Sequence, residues 1–192
     1  MLITSSNPQE GKSFTSSNLA VAMAESGKST LVVDCDLRLG RVHEIFNVTN
    51  NTGLSNMLAE HKTAKFVDFA HKTKIKNLAI ITRGTVPPNP SELLDSKDME
   101  RFIKAVKQHF DYIVFDGAPI NGLSDSLVIA KKADKTIVVC ATNDTTIDDL
   151  SKSIKSLKTI DAKIAGVVLN RVVDKKNKKY GYYTNSYYTE AI

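Results

Sequence analysis

SNPQEGKS, Ser6 to Ser13, is the stretch whose reading decides the fold of this chain. Before it, MLITSS (Met1 to Ser6) reads as a short apolar strand. After it, Phe14 to Ser26 reads as a helix that Gly27 ends. Strand, Gly-Lys-Ser loop and helix in that order match the phosphate-binding loop, with Ser6 in place of its first glycine. The chemistry explains the spacing. A loop wrapped around phosphates turns its backbone N–H groups inward, and the following helix adds its positive end. Gly11 lets the backbone approach closely. Lys12 would neutralise the β- and γ-phosphates, and Ser13 would place its hydroxyl on Mg²⁺. Pro8, Gln9, Glu10, Gly11, Lys12, Ser13 and Phe14 form the expected nucleotide-binding set. A glycine-containing turn with a surface lysine is the alternative.

Working outward, STLVVDCD (Ser29 to Asp36) is a β-branched strand that ends in two acids. Strand alternation puts Asp34 and Asp36 on one face. Adjacent carboxylates repel unless a proton or cation lies between them, and Mg²⁺ takes oxygen ligands. One of the two could instead act as a base toward an incoming hydroxyl. DYIVFDGAP (Asp111 to Pro119) is a second apolar strand ending in an acid. Asp116 there fits the Walker B position, which supports Mg²⁺ directly or through water. VVLNR ends another strand, where Asn170 could read an adenine and Arg171 could stack on it. For each of these, a solvated strand end is the competing reading.

The rest of the chain alternates in the same way. GLSNMLAE reads as a short helix, NLAIITRG as a strand and TVPPNP as a stiff turn. Ser96 can cap a helix in which Met99, Phe102, Ile103 and Val106 fall at helical spacing. Ser124 to Lys132 and Thr146 to Thr159 read as helices, and KTIVVCA and AKIAGVVLN as strands. The expected fold class is α/β: a mostly parallel central sheet with helices on both faces, the P-loop NTPase fold. Such sheets bind ligands beyond the carboxyl ends of their strands.

Composition narrows the function classes. The chain has 192 residues, 42% of them hydrophobic, which suits one domain with a sizeable core. The net charge is +5, and Arg171 to Ile192 carries five positive and two negative residues. The excess is therefore local, which argues against a broad nucleic-acid-binding face. Cys35 and Cys140 follow β-branched runs and are expected to be buried, free thiols of a reducing cytosol. His43, His61, His71 and His109 show no ligand spacing and are expected at the surface. No apolar run approaches the ~20 residues of a membrane helix, and the start does not read as a signal peptide. Five of the six tyrosines fall in the last thirteen residues. The expected division is a domain over 1–173 and a flexible, basic, tyrosine-rich tail over 174–192.

GKS at Gly11–Ser13, VVDCDLR at Val32–Arg38 and IVFD at Ile113–Asp116 resemble the bacterial tyrosine kinases. These belong to the P-loop ATPase group that includes the septum-positioning and plasmid-partition proteins. RGTVPPNPSELL (Arg83 to Leu94) looks like a stretch typical of the kinases, and VVLNR resembles their adenine-side strand. The tyrosine-rich C-terminus is the family's most distinctive mark. The resemblance implies a protein-tyrosine kinase using ATP and Mg²⁺ and regulating capsular or exopolysaccharide synthesis. It implies Lys12 and Ser13 on phosphate and Mg²⁺, Asp34 and Asp116 on the metal, and Asp36 as metal ligand or base. It implies autophosphorylation of Tyr180, Tyr182, Tyr183, Tyr187 and Tyr188 between neighbouring subunits.

The implied partners are a transmembrane adaptor of polysaccharide co-polymerase type, further copies of the chain and a cognate tyrosine phosphatase. The implied place is the cytoplasmic face of the plasma membrane. Family members normally carry a preceding segment with an E-x-x-R-x-x-R helix that joins subunits, and this sequence is expected to start inside the first strand, without it. The family's D-T-P-P is here Asp116-Gly117-Ala118-Pro119, and Gly117 is expected to loosen the metal site. Two other readings stay open: a switch ATPase of the septum-positioning or partition type, and a nucleotide-binding relative without kinase activity. Partition-type ATPases carry a signature lysine early in the loop, near where Asn7 stands here.

Overall fold

The computed structural model describes residues 1–60 and 65–173. The five clustered tyrosines and His61 lie outside the described residues. Among the described residues seven strands form one sheet: β1 (Leu2–Ser5), β2 (Thr30–Asp34), β3 (His71–Lys72), β4 (Leu78–Ile81), β5 (Tyr112–Asp116), β6 (Thr136–Ala141) and β7 (Ile164–Asn170). Their order across the sheet is β3-β4-β2-β5-β1-β6-β7. Every pairing is parallel except β3 with β4. Parallel neighbours need long crossovers, and the helices supply them. These are α1 (Lys12–Glu25), α2 (Val42–Ile45), α3 (Leu54–Ala59), α4 (Pro90–Asp95), α5 (Lys97–Val106), α6 (Asp125–Lys132) and α7 (Ile147–Thr159).

Alternation along the strands divides the core in two. Ile3, Val32, Val114 and Val139 face one way and pack with Ala20 and Ala24 of α1 and Val42 of α2. Leu2, Leu31, Val33, Ile113 and Phe115 face the other way, toward Leu94, Met99, Phe102, Val106, Ile129 and Leu157. Residues buried on both faces explain why the central strands read as continuous apolar runs. The α1 face against the sheet is made of small residues, Ser16, Ser17, Ala20 and Ala24, so the helix lies close to the strands.

Two helix starts follow the expected chemistry. The Ser96 hydroxyl accepts from the Met99 N–H at 3.2 Å, and Thr146 and Asp149 form a capping box. Three features differ from the sequence reading. The stretch expected to be only a stiff turn runs into α4, with Pro90 at its first position, where the missing N–H costs nothing. β2 stops at Asp34, so Asp36 lies in the loop beyond it and strand alternation does not place it. His43 and His71 are half-buried, and His43 Nδ1 and His71 Nε2 have no hydrogen-bond partner; His109 is exposed as expected. Both cysteines are buried and free. Among the described residues, no helix is long and apolar enough to cross a membrane.

Candidate nucleotide-binding and phosphotransfer site

The strand order gathers the three sequence signals at one edge. β5 lies between β2 and β1, with Asp34 in register with Asp116 and Asp116 in register with Ile3. The loop from Ser6 to Gly11 leaves the carboxyl end of β1 beside them. Gly11 caps α1 with φ +95°, a left-handed value that favours glycine. A Cβ on Gly11 would meet Asn170 Nδ2 at 2.0 Å. The loop is held from inside by Glu10, which is buried. Its carboxylate accepts the Asn7 N–H at 2.8 Å and the Thr145 hydroxyl.

Asn170 and Arg171 support the same loop from behind. Asn170 Nδ2 donates to the Glu10 carbonyl at 3.0 Å, and its Oδ1 accepts the Arg171 N–H at 2.9 Å. The Arg171 guanidinium donates to the Gln9 carbonyl and pairs with Asp144 at 3.1 Å. Pro8, Gln9 and Phe14 are exposed around the loop, and Lys12 and Ser13 are half-buried at its end.

Lys12 Nζ lies 2.9 Å from Asp36 Oδ2. Ser16, one helical turn after Lys12, donates to Asp116 Oδ1 at 3.1 Å. Asp34 is fully buried and accepts the Asp36 and Val42 N–H groups, each at 3.2 Å. Asp36 folds its own loop, accepting the Leu39 N–H at 3.0 Å on a side-chain oxygen and the Gly40 N–H at 2.7 Å on its carbonyl. Gly40 must lack a side chain here, because a Cβ would come within 2.1 Å of Asp34 Oδ1. Gly117 is tightly framed rather than loose. Its N–H donates to Ile3 at 2.9 Å, and a Cβ would meet Ser126 Oγ at 2.5 Å.

The electrostatics follow from these neighbours. Burial, then the charge of Asp116, raises the Asp34 carboxyl well above its ordinary range. Burial also raises Asp116, while Lys12 and the Ser13 and Ser16 hydroxyls pull it back. Burial acts to lower the Lys12 ammonium, but Asp116, Asp36 and Asp34 outweigh it and hold Lys12 above its usual value. Burial, reinforced by the same three acids, raises the Cys35 thiol well above its ordinary value and keeps it protonated.

The donor set fits a divalent cation. Asp116 Oδ2 is buried without a hydrogen-bond partner, beside an Asp34 carboxylate that it repels. Mg²⁺ characteristically takes one or two carboxylates and completes its shell with phosphate and water.

The sequence reading did not single out Ser16, Arg38, Gly40, Asn121 or Thr145. Ser16 alone carried a local signal, its helical spacing from Lys12. Asn121 bridges Asn7 Oδ1 at 3.2 Å and Ser153 Oγ at 3.1 Å, joining the loop to α7.

A phosphate-type loop at the end of β1, acids at the ends of β2 and β5, and a mostly parallel sheet define a P-loop ATPase-type domain. The model of the AAA domain family matches residues 6–170. The tyrosine-protein kinase CpsD of Streptococcus pneumoniae is 37% identical over 187 residues, covering 95% of this chain and 81% of its own. The tyrosine-protein kinase YwqD of Bacillus subtilis is 35% identical over 183 residues, covering 95% and 76%. The crystal structure of the chimerical protein CapA2B2 superimposes with a TM-score of 0.86 at 35% identity, over 90% of this chain and 76% of that one. The septum site-determining protein MinD of Pyrococcus horikoshii, complexed with Mg-ADP, superimposes with a TM-score of 0.73 at 25% identity, over 91% and 73%. The chain belongs to the bacterial tyrosine-kinase family of P-loop proteins.

Proposed function

We propose that this chain is a protein-tyrosine kinase that binds ATP with Mg²⁺ and transfers the γ-phosphoryl group to tyrosines of its own tail. The observation that carries the reading is the convergence of Lys12, Asp34, Asp36 and Asp116 at adjoining strand ends beside the Gly11 loop. Family membership supports the tyrosine specificity, since CpsD and YwqD are tyrosine-protein kinases by name. Lys12 carries the charge that phosphate oxygens would take, and it starts a helix whose positive end faces the loop. Ser13, Asp34 and Asp116 would hold Mg²⁺, which would neutralise charge developing on the β- and γ-phosphate oxygens.

Asp36 is the candidate base. A phenol has a pKa of about 10, so proton removal by a positioned carboxylate raises its reactivity near neutral pH. Asn170 and Arg171 border the adenine side and act on the nucleotide through the loop they hold. Positioning and charge neutralisation dominate phosphoryl transfer, and these residues supply both.

Tyr180, Tyr182, Tyr183, Tyr187 and Tyr188 are the proposed acceptors, reached in a neighbouring copy. The proposed setting is the cytoplasmic side of the plasma membrane, with a membrane adaptor of polysaccharide co-polymerase type, a cognate phosphatase and control of capsule or exopolysaccharide synthesis. Incubation with labelled ATP and Mg²⁺ tests the reading. Phosphotyrosine should form, disappear in Lys12→Ala, and fall steeply when all five tail tyrosines become phenylalanine. Undiminished labelling in the phenylalanine variant removes the tail as acceptor. ATP hydrolysis with no phosphotyrosine leaves a switch ATPase instead.

A further inference from the structure

Asp125 is a fully buried carboxylate that the transfer chemistry above does not use. It opens α6, and both of its oxygens are engaged. Oδ2 accepts Arg38 Nε at 2.7 Å, and Oδ1 accepts Arg38 Nη2 at 3.4 Å. Oδ1 also accepts the Ser91 hydroxyl of α4, which in turn meets Ser124 Oγ at 3.1 Å. Arg38 lies two residues beyond Asp36 in the loop that follows β2. The far end of that loop is held as well, because Arg83 Nε donates to the Gly40 carbonyl at 3.1 Å.

We infer that Asp125 is a positioning residue, whose grip on Arg38 fixes the Asp36 loop against α4 and α6. A buried carboxylate that lost its partner would be costly, so Arg38 has one strongly preferred place to go. The forked guanidinium fixes direction as well as distance. With Arg38 and Gly40 both fastened, the loop between Asp36 and Gly40 has little freedom, and the Asp36 carboxylate stays on Lys12. Ser91 belongs to the stretch from Arg83 to Leu94, so that stretch grips the loop twice, through Arg83 directly and through Ser91 by way of Asp125. The catalytic part of this inference rests on the kinase reading; the mechanical part does not.

The test uses Asp125→Asn, which keeps the shape, and Arg38→Ala, which shortens a side chain on the rim of the site. Two readouts are taken on the full chain. The first is amide hydrogen exchange at Leu39 and Gly40, whose N–H groups bond to Asp36. Exchange there should quicken about tenfold in both variants, with α7 unchanged. The second is steady-state phosphorylation of a tyrosine peptide with Mg·ATP. kcat should fall by about 10- to 100-fold with KM for ATP nearly constant, and the double variant should be no worse than the poorer single one. Unchanged exchange at Leu39 and Gly40 overturns the inference. Faster exchange with unchanged kcat overturns the positioning of Asp36. Faster exchange in a protein whose wild type transfers no phosphate sustains the mechanical clamp and sinks the kinase reading instead.

Discussion

Asp34 and Asp116 stand in register on neighbouring strands, both buried. Only a proton or a cation relieves that pairing, which makes a prediction about pH. The folded state binds the Asp34 proton more tightly than the unfolded chain does, because its pKa is raised. This group's contribution to stability is therefore full below about pH 4 and declines as pH rises toward the folded pKa. In EDTA, Asp34→Asn should gain on the wild type as pH rises from 4 to 7, by about 2–4 °C in Tm for each kcal/mol recovered. A difference in Tm that stays constant across that range, measured by calorimetry, contradicts it.

Gly11→Ala would force a Cβ onto Asn170 at a positive φ. Binding of a fluorescent ATP analogue should weaken at least about tenfold, with the fold intact by circular dichroism. The loop and two of its acids, Asp34 and Asp116, were legible in the sequence because they sit at strand ends. What holds them was not. Glu10 with Thr145, Asn170 with Glu10 and Arg38 with Asp125 are contacts between distant parts of the chain, and no local pattern announces them.

The long elements were readable because periodicity and caps agree. α5 illustrates it, with Met99, Phe102, Ile103 and Val106 buried and Ser96 closing its first turn. Ser96→Ala should cost about 1 kcal/mol, and Phe102→Ala about 3–5 kcal/mol, both measured by denaturant unfolding. Equal costs for the two would mean that the cap, not the packed face, governs this helix. The shortest elements, β3 and α2, escaped. β3 has two residues and α2 four, too few for any period to register. α4 was hidden by the prolines that precede it, since Pro90 reads as a breaker although it starts the helix. The loop after β2 departs from the strand pattern for another reason. Alternation holds only inside a strand, and β2 ends at Asp34, so the place of Asp36 is set by side-chain contacts and by the turn at Gly40.

Across the whole molecule, β1 lies in the interior of the sheet, and every strand that carries a site residue lies between β4 and the outer edge at β7. Among the described residues both faces are covered at the centre, but β7 is left open: Val167, Val168 and Leu169 are exposed, as are Val172 and Val173 after it. The strand carries no charged residue, and an uncharged apolar edge invites pairing with another chain. Val168→Lys should reduce concentration-dependent light scattering without lowering Tm by more than about 2 °C. Scattering that does not change would show that this edge plays no part in association. If the tail is phosphorylated, each group adds about −1.5 to −2 charges, so a few events would reverse its basic character.

The hydrogen bonds from Asn170 and Arg171 to Glu10 and Gln9 join residues some 160 positions apart. During synthesis the phosphate loop leaves the ribosome some 160 residues ahead of this support. A nascent chain halted before β7 has the whole Gly-Lys-Ser segment but lacks the Asn170 and Arg171 bonds behind it. Capture of nucleotide is therefore a property of the completed domain. Ribosome-bound chains ending before Asn170 should fail to crosslink azido-ATP, and chains extended past Arg171 and free of the exit tunnel should succeed. Early crosslinking would mean that the loop holds its shape unaided.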